Sequence, residues 1–270
     1  MKSRDLDQFY TSTETSSHLM LKIRKVLLEK DLSSHTFIEP SAGTGSFSDH
    51  FSSLSVDFVA IDIDPQKHYI LKADFLSWQP NPAKRYVAIG NPPFGKNSSL
   101  AIKFFNKSAT FCDLIAFVLP KTFKKNSVKN KINLNFRLIY EEDLPEDSFV
   151  FNGNSYSVPC CFQIWERTTS PRQIYTPPKT DDFSFVQPCD ADIAFQRVGV
   201  NAGKITLSPY SRNKNINSHI FIKFRTKTIQ NKFLNTNFEK YKLMTAGNPS
   251  ISKSEILEIW SNLNEKPSPR

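Results

Sequence analysis

The most chemically specific string in the chain is Gly90-Asn91-Pro92-Pro93-Phe94-Gly95. Each proline removes a backbone N–H and fixes φ, and the residue before each is pushed into extended geometry. The carbonyls are therefore held stiffly, and Asn91 adds a side-chain amide oxygen. Two acceptors in fixed positions beside the Phe94 ring suit a planar NH₂ group lying on that ring. A structural turn rarely needs Asn, two prolines and Phe together. A second string, Glu39-Pro40-Ser41-Ala42-Gly43-Thr44-Gly45, follows the short apolar run Phe37-Ile38. Its two glycines let a ligand approach the backbone closely. It lacks the third glycine of the dinucleotide fingerprint and the Lys-Ser/Thr of a P-loop, which disfavours NAD and ATP. A third, Ala60-Ile61-Asp62-Ile63-Asp64-Pro65, sets Asp62 about twenty residues past Gly43, where a carboxylate accepts hydrogen bonds from a ribose diol. Asp64, beside Pro65, reads as a helix cap. The fourth, Asp74-Phe75, suits the amino group and face of an adenine. Taken alone it reads more simply as a helix cap and a core ring.

These strings need a frame that brings them together. Apolar runs at 37–38, 57–61, 69–71, 86–89 and 114–119 alternate with helical stretches at 14–29, just after Gly45, at 98–110 and at 121–129. Short apolar runs separated by helices predict parallel strands covered on both faces, a doubly wound α/β sheet. In such sheets ligands sit at the carboxyl ends of the strands, where all four strings fall. Two further strands are predicted at 136–140 and 158–165, separated by a turn at Asn152-Gly153-Asn154. The segment 168–180, rich in Pro and Thr with Pro177-Pro178 adjacent, reads as an extended linker, and a domain boundary is predicted at about residue 170. Beyond it, residues 191–224 have β character, and residues 252–262 predict a terminal amphipathic helix capped by Ser252 or Ser254.

At 270 residues, with 39% hydrophobic and 23% charged residues, the chain has the composition of a soluble globular protein. The longest apolar run, Leu114 to Leu119, is far short of the ~20 residues that span a bilayer. No apolar segment follows the N-terminus, so neither a membrane nor a secretory role is expected. Cys112, Cys160, Cys161 and Cys189 form no CxxC pair, which predicts apolar filler in a reducing cytoplasm, with no disulfide framework and no metal site. The formal net charge is +9. Residues 195–242 hold ten cations, among them Arg197, Lys204, Arg212, Lys223, Arg225 and Lys227, against one carboxylate, which equals the whole net charge. They are interleaved with aromatics, a pattern that suits a phosphate backbone with bases stacked nearby. It also suits a solvated basic face over an ordinary aromatic core.

Glycine loop, acid, Asp-Phe and Asn-Pro-Pro-Phe stand here in the order and spacing of S-adenosylmethionine-dependent amino methyltransferases. Upstream, Asp7-Gln8-Phe9-Tyr10-Thr11 resembles the short N-terminal motif of that family. The order of N-terminal motif, glycine loop and Asn-Pro-Pro-Phe resembles the gamma arrangement of DNA adenine-N6 methyltransferases, over roughly residues 5–167. The resemblance implies a seven-stranded, mostly parallel, Rossmann-like class I methyltransferase domain over 1–170. Residues 171–270 are then a small, basic, β-rich extension for nucleic-acid or target recognition. It implies that Gln8, Phe9, Tyr10 and Thr11 border the methionyl end of the cofactor. Glu39, Pro40, Gly43 and Gly45 form the pocket floor, Asp62 holds the ribose, and Asp74 and Phe75 hold the cofactor adenine. Asn91 and the Pro92 carbonyl accept the two hydrogens of the target amine, with Pro93 stiffening the turn and Phe94 stacking on the base. Phe149 or Phe151 is the expected source of a second ring on the other face of that base.

The activity implied is transfer of a methyl group to the N6 amine of a DNA adenine flipped out of the duplex. The Arg197, Lys204, Arg212, Lys223, Arg225 and Lys227 set would grip phosphates. A sulfonium methyl is already activated, so no metal is called for, and no cysteine stands after the fourth strand in the Pro-Cys context of cytosine-C5 chemistry. The same Asn-Pro-Pro-aromatic string serves adenine or guanine amines in RNA and glutamine amides in release factors. An RNA adenine methyltransferase, a protein-glutamine methyltransferase and an inactive nucleic-acid-binding partner are therefore the rival readings. A bacterial or phage cytoplasm, with a cognate restriction enzyme as partner, fits the leading one.

Overall fold

The computed structural model describes residues 10–32, 34–54, 56–151, 153–208, 210–245 and 247–264, with side chains at all of these except 211 and 212. Residues 1–174 and 175–270 form two compact units. The first opens on a two-residue strand, β1 (Tyr10–Thr11), and helix α1 (Thr13–Lys30). The Ser12 hydroxyl starts the helix by accepting the Thr15 N–H at 3.2 Å, and a left-handed Asp31 ends it. Ser16, Leu19, Met20 and Ile23 recur at helical spacing and form its buried stripe. There follow β2 (Thr36–Glu39), α2 (Ser48–Phe51), β3 (Phe58–Asp62), β4 (Leu71–Lys72), β5 (Tyr86–Gly90), α3 (Ser99–Ser108), β6 (Cys112–Pro120) and α4 (Asn126–Lys129). Last come β7 (Phe136–Asp143), β8 (Phe149–Phe151), β9 (Asn154–Tyr156) and β10 (Cys160–Arg167).

Seven of these strands make one sheet in the order β4-β3-β2-β5-β6-β10-β7. Strands β4, β3, β2, β5 and β6 are parallel, and β10 runs antiparallel to both its neighbours. The apolar run of β6 explains its central place. Ile115, Phe117 and Leu119 pack with Phe104 and Phe105 of α3 on one face. Leu114, Ala116 and Val118 pack with Leu19, Met20 and Ile23 of α1 on the other. A strand covered on both faces is apolar at every position. This is the doubly wound sheet that the strand pattern predicts, with the seven strands and mostly parallel order that the resemblance implies. The order reverses between β2 and β5, which opens a crevice at their carboxyl ends.

Three expectations are corrected in this unit. The turn at Gly153-Asn154 does not join β7 to β10; it closes the separate hairpin β8–β9, and β1 adds to that hairpin with Tyr10 opposite Val150 and Thr11 opposite Phe149. Asn152 lies outside the described residues. No helix follows Asp64: residues 63–70 form bends and turns, tied back by the Gln66 N–H to the Gly43 carbonyl at 3.0 Å. The helix predicted over 121–129 is a 3₁₀ turn, Lys121–Lys124, followed by the single turn α4.

The units divide at 174/175. The first part of the Pro/Thr segment belongs to the first unit because Arg172 ties it down. Its N–H donates to the Leu134 carbonyl at 2.8 Å, and its guanidinium lies 5.2 Å from the Trp165 ring.

The second unit holds β11 (Phe183–Phe185), β12 (Ile193–Gln196), β13 (Ile205–Leu207) and β14 (His219–Phe224), then α5 (Lys227–Leu234), α6 (Glu239–Lys242) and α7 (Lys253–Asn264). The four strands form an antiparallel sheet in the order β11-β14-β12-β13. Alternate residues Ile220, Ile222 and Phe224 face a core shared with Phe183, Phe195, Phe233, Phe238 and Trp260. Ser252 and Glu255 form a reciprocal capping box at the start of α7. The interleaved aromatics of the basic segment are thus mostly core. Phe195, Phe221, Phe224, Phe233 and Phe238 are buried, Tyr241 is half-buried and Tyr210 is exposed. Of the four cysteines, Cys112, Cys160 and Cys161 are buried filler, while Cys189 is exposed. Among the described residues no helix is long and apolar enough to cross a membrane.

Candidate active site

A cavity of about 400 Å³ opens at the carboxyl ends of β2, β3, β4 and β5. The loop after β2 supplies Pro40, Ser41 and Gly43; β3 and the residue after it supply Asp62 and Ile63. The turn after β4 supplies Ala73, Asp74, Phe75 and Leu76, and the loop after β5 supplies Asn91 and Pro93. Leu100 and Phe104 of α3 and Tyr10 of β1 complete the wall. Sequence separations of tens of residues collapse here because parallel strands end on one side of the sheet.

Gly43 is required by geometry. Its φ is +50°, and a Cβ would lie 2.5 Å from Cε1 of Tyr10, whose ring covers it. The Gly43 N–H donates to Oδ2 of Asp62 at 2.7 Å, and the Asp64 N–H donates to Oδ1 at 2.8 Å. Asp62 is thereby fixed in one orientation on the cavity wall. Burial, followed by the charges of Asp62 and Asp64, raises the Tyr10 hydroxyl pKa, so the phenol stays protonated. Asp74 accepts the Leu76 N–H at 2.9 Å, and Phe75 lies tilted on Phe104 with centroids 5.2 Å apart. Asp74 is thus a turn residue as well as a wall residue, and Phe75 is a core ring with its edge at the cavity.

The Asn-Pro-Pro-Phe loop is pinned from the glycine loop: the Ser41 hydroxyl donates to the Asn91 carbonyl at 3.0 Å. Asn91 also borders a smaller cavity of about 20 Å³ shared with Tyr10, Thr11 and Glu39. Past it, Gly95 takes φ +65°, and Asn97 and Ser98 are left-handed non-glycine residues at +54° and +63°. Such backbone persists only where its surroundings hold it. Here the Phe94 carbonyl accepts the Leu100 and Ala101 N–H groups, and the Ser98 and Thr122 hydroxyls meet at 2.6 Å.

Several predicted residues stand elsewhere. Glu39 does not reach the main cavity. It is buried and accepts the Ser48 N–H at 2.7 Å and the Phe47 N–H at 3.4 Å, organising the start of α2. Burial outweighs those donors and pushes its carboxyl up to about 8. Gly45, at φ +79°, packs against Tyr69 rather than lining the cavity. Thr11 is buried beside the smaller cavity and its carbonyl accepts the Ser46 hydroxyl at 2.9 Å. Pro92 is buried, and Phe94 is half-buried between the two core clusters, outside the cavity wall. Phe149 is fully buried in the core and is not available to a base; Phe151 is half-buried against Tyr156. Asp7, Gln8 and Phe9 lie outside the described residues, as does the Arg212 side chain. In the second unit Lys204, Lys223, Arg225 and Lys227 are exposed and Arg197 is half-buried. Ser41, Ile63, Ala73, Leu76, Leu100 and Phe104 were missed from sequence. Ile63 carried a signal, an apolar residue left 52% exposed between two acids.

Strand order, the single antiparallel strand and the cavity at the switch point define a Rossmann-like class I methyltransferase fold. No family model matches the chain, and no curated protein matches it. Among solved structures it is similar to a Pyrococcus horikoshii protein described as a "putative RNA methyltransferase", with 14% identity and a TM-score of 0.48 over 60% of this chain and 88% of that one. A Haemophilus influenzae "putative methylase" aligns at 13% identity and TM-score 0.41, over 57% of this chain and 99% of that one. A Thermoplasma acidophilum protein aligns at 14% and 0.41, over 58% and 90%. The fold assignment rests on the strand order of this chain.

Proposed function

We propose that the chain transfers a methyl group from S-adenosylmethionine to the N6 amine of an adenine in DNA. The observation that carries this reading is the stiff Asn91-Pro92-Pro93 turn, which borders the same cavity as Gly43 and Asp62. The cavity residues fit the cofactor: Tyr10 over Gly43 makes a close-walled slot, Asp62 offers a fixed carboxylate for a ribose diol, and Ile63, Phe75 and Leu76 offer apolar walls for an adenine. When bound, the sulfonium supplies an already activated methyl. The chain's own task is the acceptor. The adenine N6 lone pair is delocalised into the ring. The Asn91 amide oxygen and the Pro92 carbonyl accept its two hydrogens and favour the pyramidal geometry in which the lone pair can attack. Asn is no base, so this is positioning and electrostatics. Of the rings the sequence offers for the base, Phe149 is buried and Phe94 stands outside the cavity wall, which leaves Phe151. The exposed Lys204, Lys223, Arg225 and Lys227 supply phosphate contacts.

Purified protein given methyl-labelled cofactor and an adenine-containing oligodeoxynucleotide should incorporate label as N6-methyladenine. An oligonucleotide with adenine replaced by purine, which lacks the amine, should take up none. Label in the purine substrate, or in RNA only, would overturn the DNA-adenine assignment.

A further inference from the structure

A second cavity, of about 410 Å³, lies in the C-terminal unit. Arg197, His219 and Lys253 converge on it, and no carboxylate lines it among the described residues. The Arg197 Nε is buried and has no hydrogen-bond partner among the described residues. A guanidinium is charged at every accessible pH, and native structures rarely leave a buried donor without an acceptor. The Arg197 backbone is held on both sides, its N–H by the Ser218 carbonyl at 2.9 Å and its carbonyl by the Ile251 N–H at 2.8 Å, so the side chain has a fixed root. His219 is held through Nδ1 by the Ser218 hydroxyl at 3.0 Å. Pro188 and the buried Phe221, which shares the His219 face of β14, add apolar lining, and Gln187 adds an amide. Cations, apolar lining and one amide gathered in one cavity are what a nucleotide requires: phosphate, base face and base edge.

We propose that this cavity binds one nucleotide of a nucleic-acid strand, its phosphate on Arg197 and Lys253 and its base against the apolar lining at Pro188. The inference rests on the nucleic-acid half of the proposed function and is independent of its methyl-transfer half.

The test uses the full chain and an adenine-free probe, a fluorescein-labelled twelve-residue oligothymidylate, followed by anisotropy across a salt series. Arg197→Met keeps the length of the side chain and removes its charge. Lys253→Glu alters an exposed residue in the first turn of α7, where a carboxylate is favoured, so the helix is retained. Each is expected to weaken binding at least about fivefold, and the pair to lower the log–log salt slope by about 0.7, the value of one single-strand phosphate contact. Lys240→Glu, an exposed charge reversal outside the cavity, is expected to change binding less than twofold. Variants that bind as the wild type does, or a wild type that does not bind the probe, would overturn the inference. Probe binding lost in the variants without any methyl transfer by the wild type would uphold the cavity and overturn the proposed activity. Methyl transfer with variant-insensitive probe binding would do the reverse.

Discussion

Replacing Gly43 by Ala separates two costs that the geometry puts at one residue. The backbone there has φ +50°, and a left-handed alanine costs about 1–2 kcal/mol. The new methyl would stand 2.5 Å from Cε1 and 2.9 Å from Cδ1 of Tyr10, where ordinary carbon contacts are roughly 3.5–4.0 Å. The overlap of more than ~1 Å cannot be absorbed in place. Tyr10 is half-buried and on a two-residue strand, so the ring moves aside at little further cost to folding. What is lost is the wall of the cavity. Calorimetric titration with S-adenosylmethionine should show affinity reduced at least about tenfold, equivalent to ~1.4 kcal/mol, while thermal unfolding reports only the backbone cost. Tyr10→Ala alone should also weaken binding, and adding it to Gly43→Ala should cost little more. A coupling energy of at least about 1 kcal/mol is expected in this double-mutant cycle. Strictly additive losses would refute the idea that the glycine exists to admit the Tyr10 ring.

Asn91→Ala should lower the transfer rate by roughly 10²–10³, the usual scale for one preorganised hydrogen-bonding group, with cofactor affinity nearly intact; equal loss of both would remove Asn91 from the acceptor role. Glu39→Gln tests the buried carboxyl. With a folded value of about 8 against an ordinary 4.5, the folded chain keeps a proton that the unfolded chain has lost, so wild-type stability falls as pH rises across that window. The glutamine variant lacks this dependence, and its unfolding free energy should gain on the wild type from pH 5 to 9, with an upper bound of about 5 kcal/mol. A constant difference would mean Glu39 is ionised when folded. Neutralising Lys223, Arg225 and Lys227 together should flatten the log–log salt dependence of duplex DNA binding by about 2.7; an unchanged slope would place the phosphate contacts elsewhere.

Much of the first unit is legible because its signals are local. Leu114 to Leu119 is apolar at every position, which only a doubly covered strand demands, and the glycine loop, Asp62 and the Asn-Pro-Pro turn each follow an apolar strand. What was misread depends on long-range pairing. Gly153 marks a turn, but nothing near it says which strands it joins. The three-residue strands β8 and β9 are too short for a period, and the pairing of β8 with Tyr10–Thr11 crosses more than a hundred residues. Phe149 and Phe151 sit two apart on one strand, yet one is core and the other is half-buried against Tyr156 of β9. In the basic segment, composition drew attention to rings beside cations. The alternation of Ile220, Ile222 and Phe224 was the better guide, since period two assigns Phe224 to a core face and Lys223 to solvent. Ser41 was invisible because its hydroxyl acts on a carbonyl fifty residues away.

Methylated nucleosides test the central claim most directly. The chain and its Asn91→Ala variant would be expressed in a host without adenine methylation, DNA and RNA digested separately, and N6-methyldeoxyadenosine and N6-methyladenosine quantified by mass spectrometry. The proposed activity predicts a rise in the deoxy form with the intact chain and none with the variant. A rise confined to RNA would contradict DNA as the substrate while keeping the amine chemistry, and no rise in either would contradict the claim itself.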